Sequence, residues 1–233
     1  MGLVEIGGVM LSRSAARVEA CAQNMSNVTT PGYKARKQFS QFISSASSTS
    51  DRSEIGTLVS GTDFTNGSLQ NTGNPLDFAI SGSGFFVVRN ADGVFYTRDG
   101  QFSRDPDGRL VNASGMALQS LSGDVVVGPT DPKVLPDGTV LSDNEPVARV
   151  AVVNFENEKS LKSVSGSVFM ADERDAMPAT AEVRQGMLEA SNVSTAAEMI
   201  SIMASLRSAG AGQKVVQLYD DLMGRAVTAF GQS

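Results

Sequence analysis

The chain has 233 residues, of which 41% are hydrophobic and 19% charged, the balance of a protein with a packed core. A net charge of −6 argues against a general nucleic-acid binder, which needs clustered Lys and Arg to meet phosphates. Histidine is absent and Cys21 is the single cysteine. That excludes an intrachain disulfide, a Cys/His zinc site and a nucleophile activated by histidine.

Val4, Leu11, Val18 and Met25 repeat every seven residues and predict a helix over 3–28. Their narrow apolar stripe is of the kind that forms a coiled-coil seam. Glu5 precedes every basic residue, and Arg13 and Arg17 interrupt the apolar run, so a cleaved secretory signal is not expected. The helix gives way in Asn24-Met25-Ser26-Asn27-Val28-Thr29-Thr30-Pro31-Gly32-Tyr33-Lys34. Asn27, Thr29 and Thr30 are poor helix formers, Pro31 disfavours a helical Thr30, and Gly32 tolerates positive φ.

Residues 36–74 read as a linker with entry strands. Stretch 44–50 is polar and of low complexity, as flexible segments are, and Asn66-Gly67 has the composition of a two-residue hairpin turn. Residues 75–183 read as an antiparallel β domain. Phe78, Ile80, Phe85 and Val87 alternate with polar or small residues, and Asp92-Gly93, Asp99-Gly100, Asp107-Gly108 and Asp137-Gly138 supply turn chemistry. Gly82-Ser83-Gly84 lacks the third glycine and the following helix of a nucleotide site. Asp105-Pro106-Asp107-Gly108 lacks the spacing and terminal Glu of a calcium loop. No catalytic, metal or cofactor residues are assigned, and neither nucleic acid nor a small-molecule substrate is expected.

Residues 184–233 close the chain. Ser194 is a helix N-cap candidate, and Ile202, Ala209, Val216, Met223 and Phe230 repeat every seven residues, flanked by Met199 and Leu206. The fold expected is α+β: residues 1–35 and 184–233 give long helices pairing as a coiled-coil-like stem, with the antiparallel β domain between. The candidate assembly seam comprises Val4, Leu11, Val18, Met25, Met199, Ile202, Leu206, Val216, Met223 and Phe230.

Three strings carry a family resemblance. In the first, Asn24, Asn27, Thr30, Gly32, Tyr33 and Lys34 fall on the asparagine-rich pattern that ends the first helix of bacterial flagellar rod and hook proteins. The second, Leu76-Asp77-Phe78-Ala79-Ile80-Ser81-Gly82-Ser83-Gly84-Phe85-Phe86, is followed by Tyr96-Thr97-Arg98-Asp99-Gly100 and Phe102, as in that family. The third runs Gln185-Gly186-Met187-Leu188-Glu189-Ala190-Ser191-Asn192-Val193. Ala209, Gly210 and Gly212 depart from the usual continuation. The resemblance implies a structural subunit of the flagellar basal-body rod. Its paired termini would line a torque-transmitting tube that encloses the export channel, and its β domain would face outward. Implied partners are copies of itself, other rod and hook-basal body proteins and the flagellar type III export apparatus, with no membrane span and no cleaved signal. Length and the short 36–74 region favour a proximal-rod over a distal-rod member. A secreted β-domain binding module with dimerising helices is the alternative, distinguished by saturating at the dimer.

Overall fold

The computed structural model describes residues 3–41, 57–179 and 181–230, so the polar stretch 44–50 lies outside the described residues. The chain divides into two compact units. One comprises Met1–Ser26, Arg36–Gly61 and Ser194–Ser233; the other comprises Asn27–Ala35 and Thr62–Val193.

The first unit contains helix α1 (Leu3–Ser26), helix α2 (Thr195–Phe230) and a two-stranded sheet of Arg36–Gln41 with Thr57–Thr62. Ser194 caps α2: its carbonyl accepts the Glu198 N–H at 3.0 Å and its hydroxyl accepts from Ala197 N–H at 3.5 Å. The helices run antiparallel, with Asn24 beside Glu198 and Gly7 beside Val216.

The expected stem of two long helices zipped as a coiled coil is corrected here. α1 has 24 residues against 36 in α2, and a large β-rich region separates them in the sequence. A coiled-coil seam would bury its large heptad residues. Instead Val4, Met199, Leu206 and Met223 are exposed, Leu206 by 60%. The buried line is a different heptad phase made of small residues: Gly7, Ser14 and Cys21 on α1, Ser205 and Gly212 on α2. A Cβ on Gly7 would stand 2.7 Å from Val216 Cγ2 and 3.1 Å from the Gly212 carbonyl oxygen, so the backbones meet almost directly. The seven-residue period is real, but the side that turns inward is the one on which small residues permit close approach.

The second unit is β-rich. Among the described residues its largest sheet has ten strands. Strand Phe85–Asn90 pairs antiparallel with Gly93–Thr97, and also with Ala117–Ser120 and Val152–Phe155. Alternation sends Phe86 and Val88 into one cluster with Phe78, Ile80, Leu110, Leu118, Val125, Val140 and Val183. Phe85 points the other way, into a ring-rich cluster with Tyr96, Phe155 and Phe169. Edge-to-face contacts such as Tyr96–Phe155, with centroids 4.8 Å apart, bind the latter.

The unit is closed by its final strands. Glu182–Gln185 pairs with Phe78–Ser81, and Met187–Glu189 pairs with Leu69–Asn71. Residues 187–193 therefore precede α2 rather than entering it. Asp92-Gly93, Asp107-Gly108 and Asp137-Gly138 serve as turns, with positive φ at each glycine. Asp143 and Asn144, both at positive φ, form a further hairpin turn of the type that needs φ > 0 at two successive residues. Asn66-Gly67 is not a hairpin turn: the strands on either side pair elsewhere, and Gly67 instead lies against the Ala190 carbonyl.

Candidate functional site

Within the second unit the three signature strings, far apart in sequence, meet at one carboxylate. Glu189 reaches its position because Met187–Glu189 is hydrogen-bonded to Leu69–Asn71. Its Oε1 accepts from Lys34 Nζ at 2.7 Å and from the Gly67 N–H at 2.9 Å; its Oε2 accepts from Arg98 Nη1 at 3.1 Å. The three side chains are 0%, 4% and 1% exposed for Lys34, Arg98 and Glu189 respectively. Burial lowers the Lys34 and Arg98 pKa values, and the Glu189 carboxylate opposes that shift in both.

Neighbouring groups add to the pairing, though the buried Arg98 Nε has no hydrogen-bond partner among the described residues. Lys34 also donates to the Thr65 carbonyl at 2.9 Å, and Arg98 Nη2 to the Gly82 carbonyl at 2.9 Å, with its guanidinium 5.3 Å from the Phe85 ring centroid. The Gly32 N–H donates to the Glu189 carbonyl at 2.7 Å. Gly32 takes φ 65°, and a Cβ there would lie 2.3 Å from the Arg98–Asp99 peptide, so both its conformation and its space demand glycine.

Two amides extend the knot. Asn192 Oδ1 accepts from the Ala35 N–H at 2.7 Å, and its Nδ2 donates to the Asp63 and Thr65 carbonyls. Gln185 Oε1 accepts from the Val134 N–H while its Nε2 donates to the carbonyls of Pro75 and Pro132. Asn24 plays a similar part inside the first unit: it accepts from the Arg36 N–H at 2.8 Å and donates to the Arg36 carbonyl and to Glu198, each at 2.9 Å.

The remaining signature residues act locally. Thr30 donates to the Asn27 side chain at 3.3 Å within the turn after α1, and the Ser191 hydroxyl accepts from the Val193 N–H. Tyr33 is buried. Gly82, Gly84 and Gly186 all take positive φ. Of the seam candidates, Leu11, Val18, Met25, Ile202 and Val216 are half-buried, and the side chain of Phe230 lies outside the described residues. Leu11, Val18 and Leu206 line an open apolar groove with Ser14, Ala15, Ser205 and Ala209. Arg98 and Glu189 lie inside the second and third strings, and no local feature of either string marks them as partners. The available signal is one acidic residue in the third string and one cation in each of the others.

The chemistry of the knot is cohesion: both carboxylate oxygens are engaged, and among the described residues no cluster of three His, Cys, Asp or Glu could hold a metal. Next to it, burial foremost, then the Asp77 charge, pushes the Asp99 carboxyl from 3.8 up to about 6. Between those values the unfolded chain has released a proton that the folded chain retains. This group therefore favours folding most below the unfolded pKa, and that contribution is lost as pH rises through about 6. Asp99→Asn keeps the acceptor for the Gln101 N–H. It is expected to raise stability at pH 7.5 by roughly 1–2 kcal/mol and to flatten the pH 4–6 profile in urea melts. An unchanged profile would show that Asp99 ionises normally.

Comparison with known proteins gives a consistent picture. Residues 79–142 match the family model of the flagellar hook protein FlgE/F/G D1 domain, and residues 184–229 match that of the flagellar basal body rod FlgEFG protein C-terminal region. The chain is 30% identical to the flagellar basal-body rod protein FlgF of Mesorhizobium japonicum over 82% of each chain. It is 29% identical to FlgF of Escherichia coli K12 over 88% of each. It is also 25% identical to the basal-body rod protein FlgG of Agrobacterium fabrum over 95% of this chain and 97% of that one.

Proposed function

From the premise that this chain belongs to the flagellar basal-body rod protein family, we propose that it is a proximal-rod subunit of the FlgF type, added to the axial tube through its terminal helices. The family is structural rather than enzymatic, its place is the flagellar basal body, and its partners are other rod and hook proteins. The finer reading is ours: the subunit travels through the flagellar export apparatus without a cleaved signal, and contributes to a tube that transmits torque and encloses the channel. FlgG-type relatives of similar coverage make the distal rod the second choice. Among the described residues no helix is long and apolar enough to cross a membrane.

The observation that carries this reading is the set of large apolar residues left exposed along α2. Met199, Ile200, Met203, Leu206, Leu218, Leu222, Met223 and Val227 are all exposed. Because the helices meet through small residues, their large ones are left for neighbours. A surface that differs from the one it contacts can propagate into an open helical assembly when its rotation does not close a ring, as an axial assembly requires.

Leu206→Asp and Met223→Asp replace exposed side chains and are expected to leave the β unit's melting unchanged while abolishing incorporation into isolated basal bodies. Normal incorporation of both variants would refute assembly through these helices. Growth that stops at a dimer in purified protein would favour a dimerising binding module instead.

A further inference from the structure

We propose that the β-rich unit folds by closure. On this view the strands of 62–155 reach no stable state until segment 182–192 seats, and Glu189 is the latch that makes the seated state stable. The inference concerns folding order and is independent of which rod position the subunit occupies.

Chain order supplies the first reason. Lys34 and Arg98 stand 155 and 91 residues, respectively, ahead of their shared counter-ion in the sequence. Without it the centre holds two buried cations whose other direct contacts are neutral, the Thr65 and Gly82 carbonyls and the Phe85 ring, with the charge of Glu158 a weaker influence on both. Ions taken out of water without a counter-charge oppose the compact state. Glu189 reverses that opposition.

The same late segment also completes the apolar core. Val183, 1% exposed, belongs to the main cluster, and its strand covers Phe78–Ser81, whose Phe78, Ala79 and Ile80 are buried. Gln185 satisfies one N–H and two carbonyls of segments that otherwise have no common strand. Asn192 then fixes Ala35, Asp63 and Thr65. First and last segments of the unit are thus bonded across its whole length, and the entropy of that loop must be met before its contacts stabilise anything.

The test is pulsed hydrogen exchange during refolding of the full chain from urea. The expected result is that core amides of Val88, Tyr96 and Leu118 gain protection in the same kinetic phase as the closure amides of Gly32 and Ala190. Core protection in an earlier phase, with closure following, would overturn the proposal. Native-state exchange on Glu189→Gln gives the second reading: core and closure amides should lose protection by one common factor, at least about a hundredfold. Loss confined to Gly32 and Ala190 would make Glu189 a local clip and overturn the latch. The refolding experiment uses the unaltered chain, so it decides the matter even if Glu189→Gln does not fold.

Discussion

Glu189→Gln is expected to destabilise the protein by roughly 3–5 kcal/mol, the cost of leaving buried charge uncompensated. Glutamine has nearly the shape of glutamate and keeps an oxygen for the Gly67 N–H, so what is lost is the charge facing Lys34 and Arg98. For a chain of this length that corresponds to a melting temperature lower by roughly 6–20 °C. Lys34→Met is the informative partner, because it removes one cation and leaves Arg98 and Glu189 balanced. It should cost distinctly less than Glu189→Gln in urea melts. A triple change to Lys34→Met, Arg98→Met and Glu189→Leu should recover most of the loss, since a buried ion cluster rarely outperforms apolar side chains of similar size. Equal losses from the two single changes would mean the knot is held by shape rather than charge.

Gly100→Ala should produce the second large effect, without touching any charge. Gly100 accepts the Phe78 N–H at 2.9 Å, and a Cβ on it would fall 1.6 Å from the Phe78 carbonyl oxygen and 2.6 Å from its carbon. Both are backbone atoms, and Phe78 is fully buried with its ring 5.8 Å from that of Phe102. No rotamer change relieves the clash, so two chain segments must separate inside the core. The expected loss is roughly 2–4 kcal/mol, read as a fall of about 4–16 °C in a thermal melt. Gly210→Ala is the contrast: nothing lies within 4 Å of its Cβ position on α2, and alanine should stabilise that helix by up to about 1 kcal/mol. A neutral Gly100→Ala would show that the Phe78 strand can shift freely.

Much of the architecture is visible in the sequence for local reasons. Asp-Gly pairs announce three of the turns, and the alternation of Phe85, Phe86, Val87 and Val88 announces a strand with two distinct faces. The knot was less legible. Its three charged groups are single residues in separate strings, and no local rule says that positions 34, 98 and 189 share one point in space. Asp99-Gly100 misleads for a related reason: the dipeptide has turn composition, yet its glycine is required by the close approach of Phe78. The helices misled through phase. Large residues at 4, 11, 18 and 25 draw the eye to a hydrophobic seam, while the line at 7, 14 and 21 turns inward because glycine, serine and cysteine let two backbones touch.

That close approach has a mechanical consequence. Most packed helices are separated by a layer of long side chains that can yield by changing rotamer. Between Gly7 and Gly212 such a layer is missing: the Gly212 Cβ position lies 3.2 Å from both the Gly7 carbonyl oxygen and Met10 Cβ. Close-packed protein has low compressibility and passes strain onward. A tangential load on one helix therefore reaches the backbone of the other with little slack. The flexible methionines and leucines of α2 stand on its exposed side, outside that path.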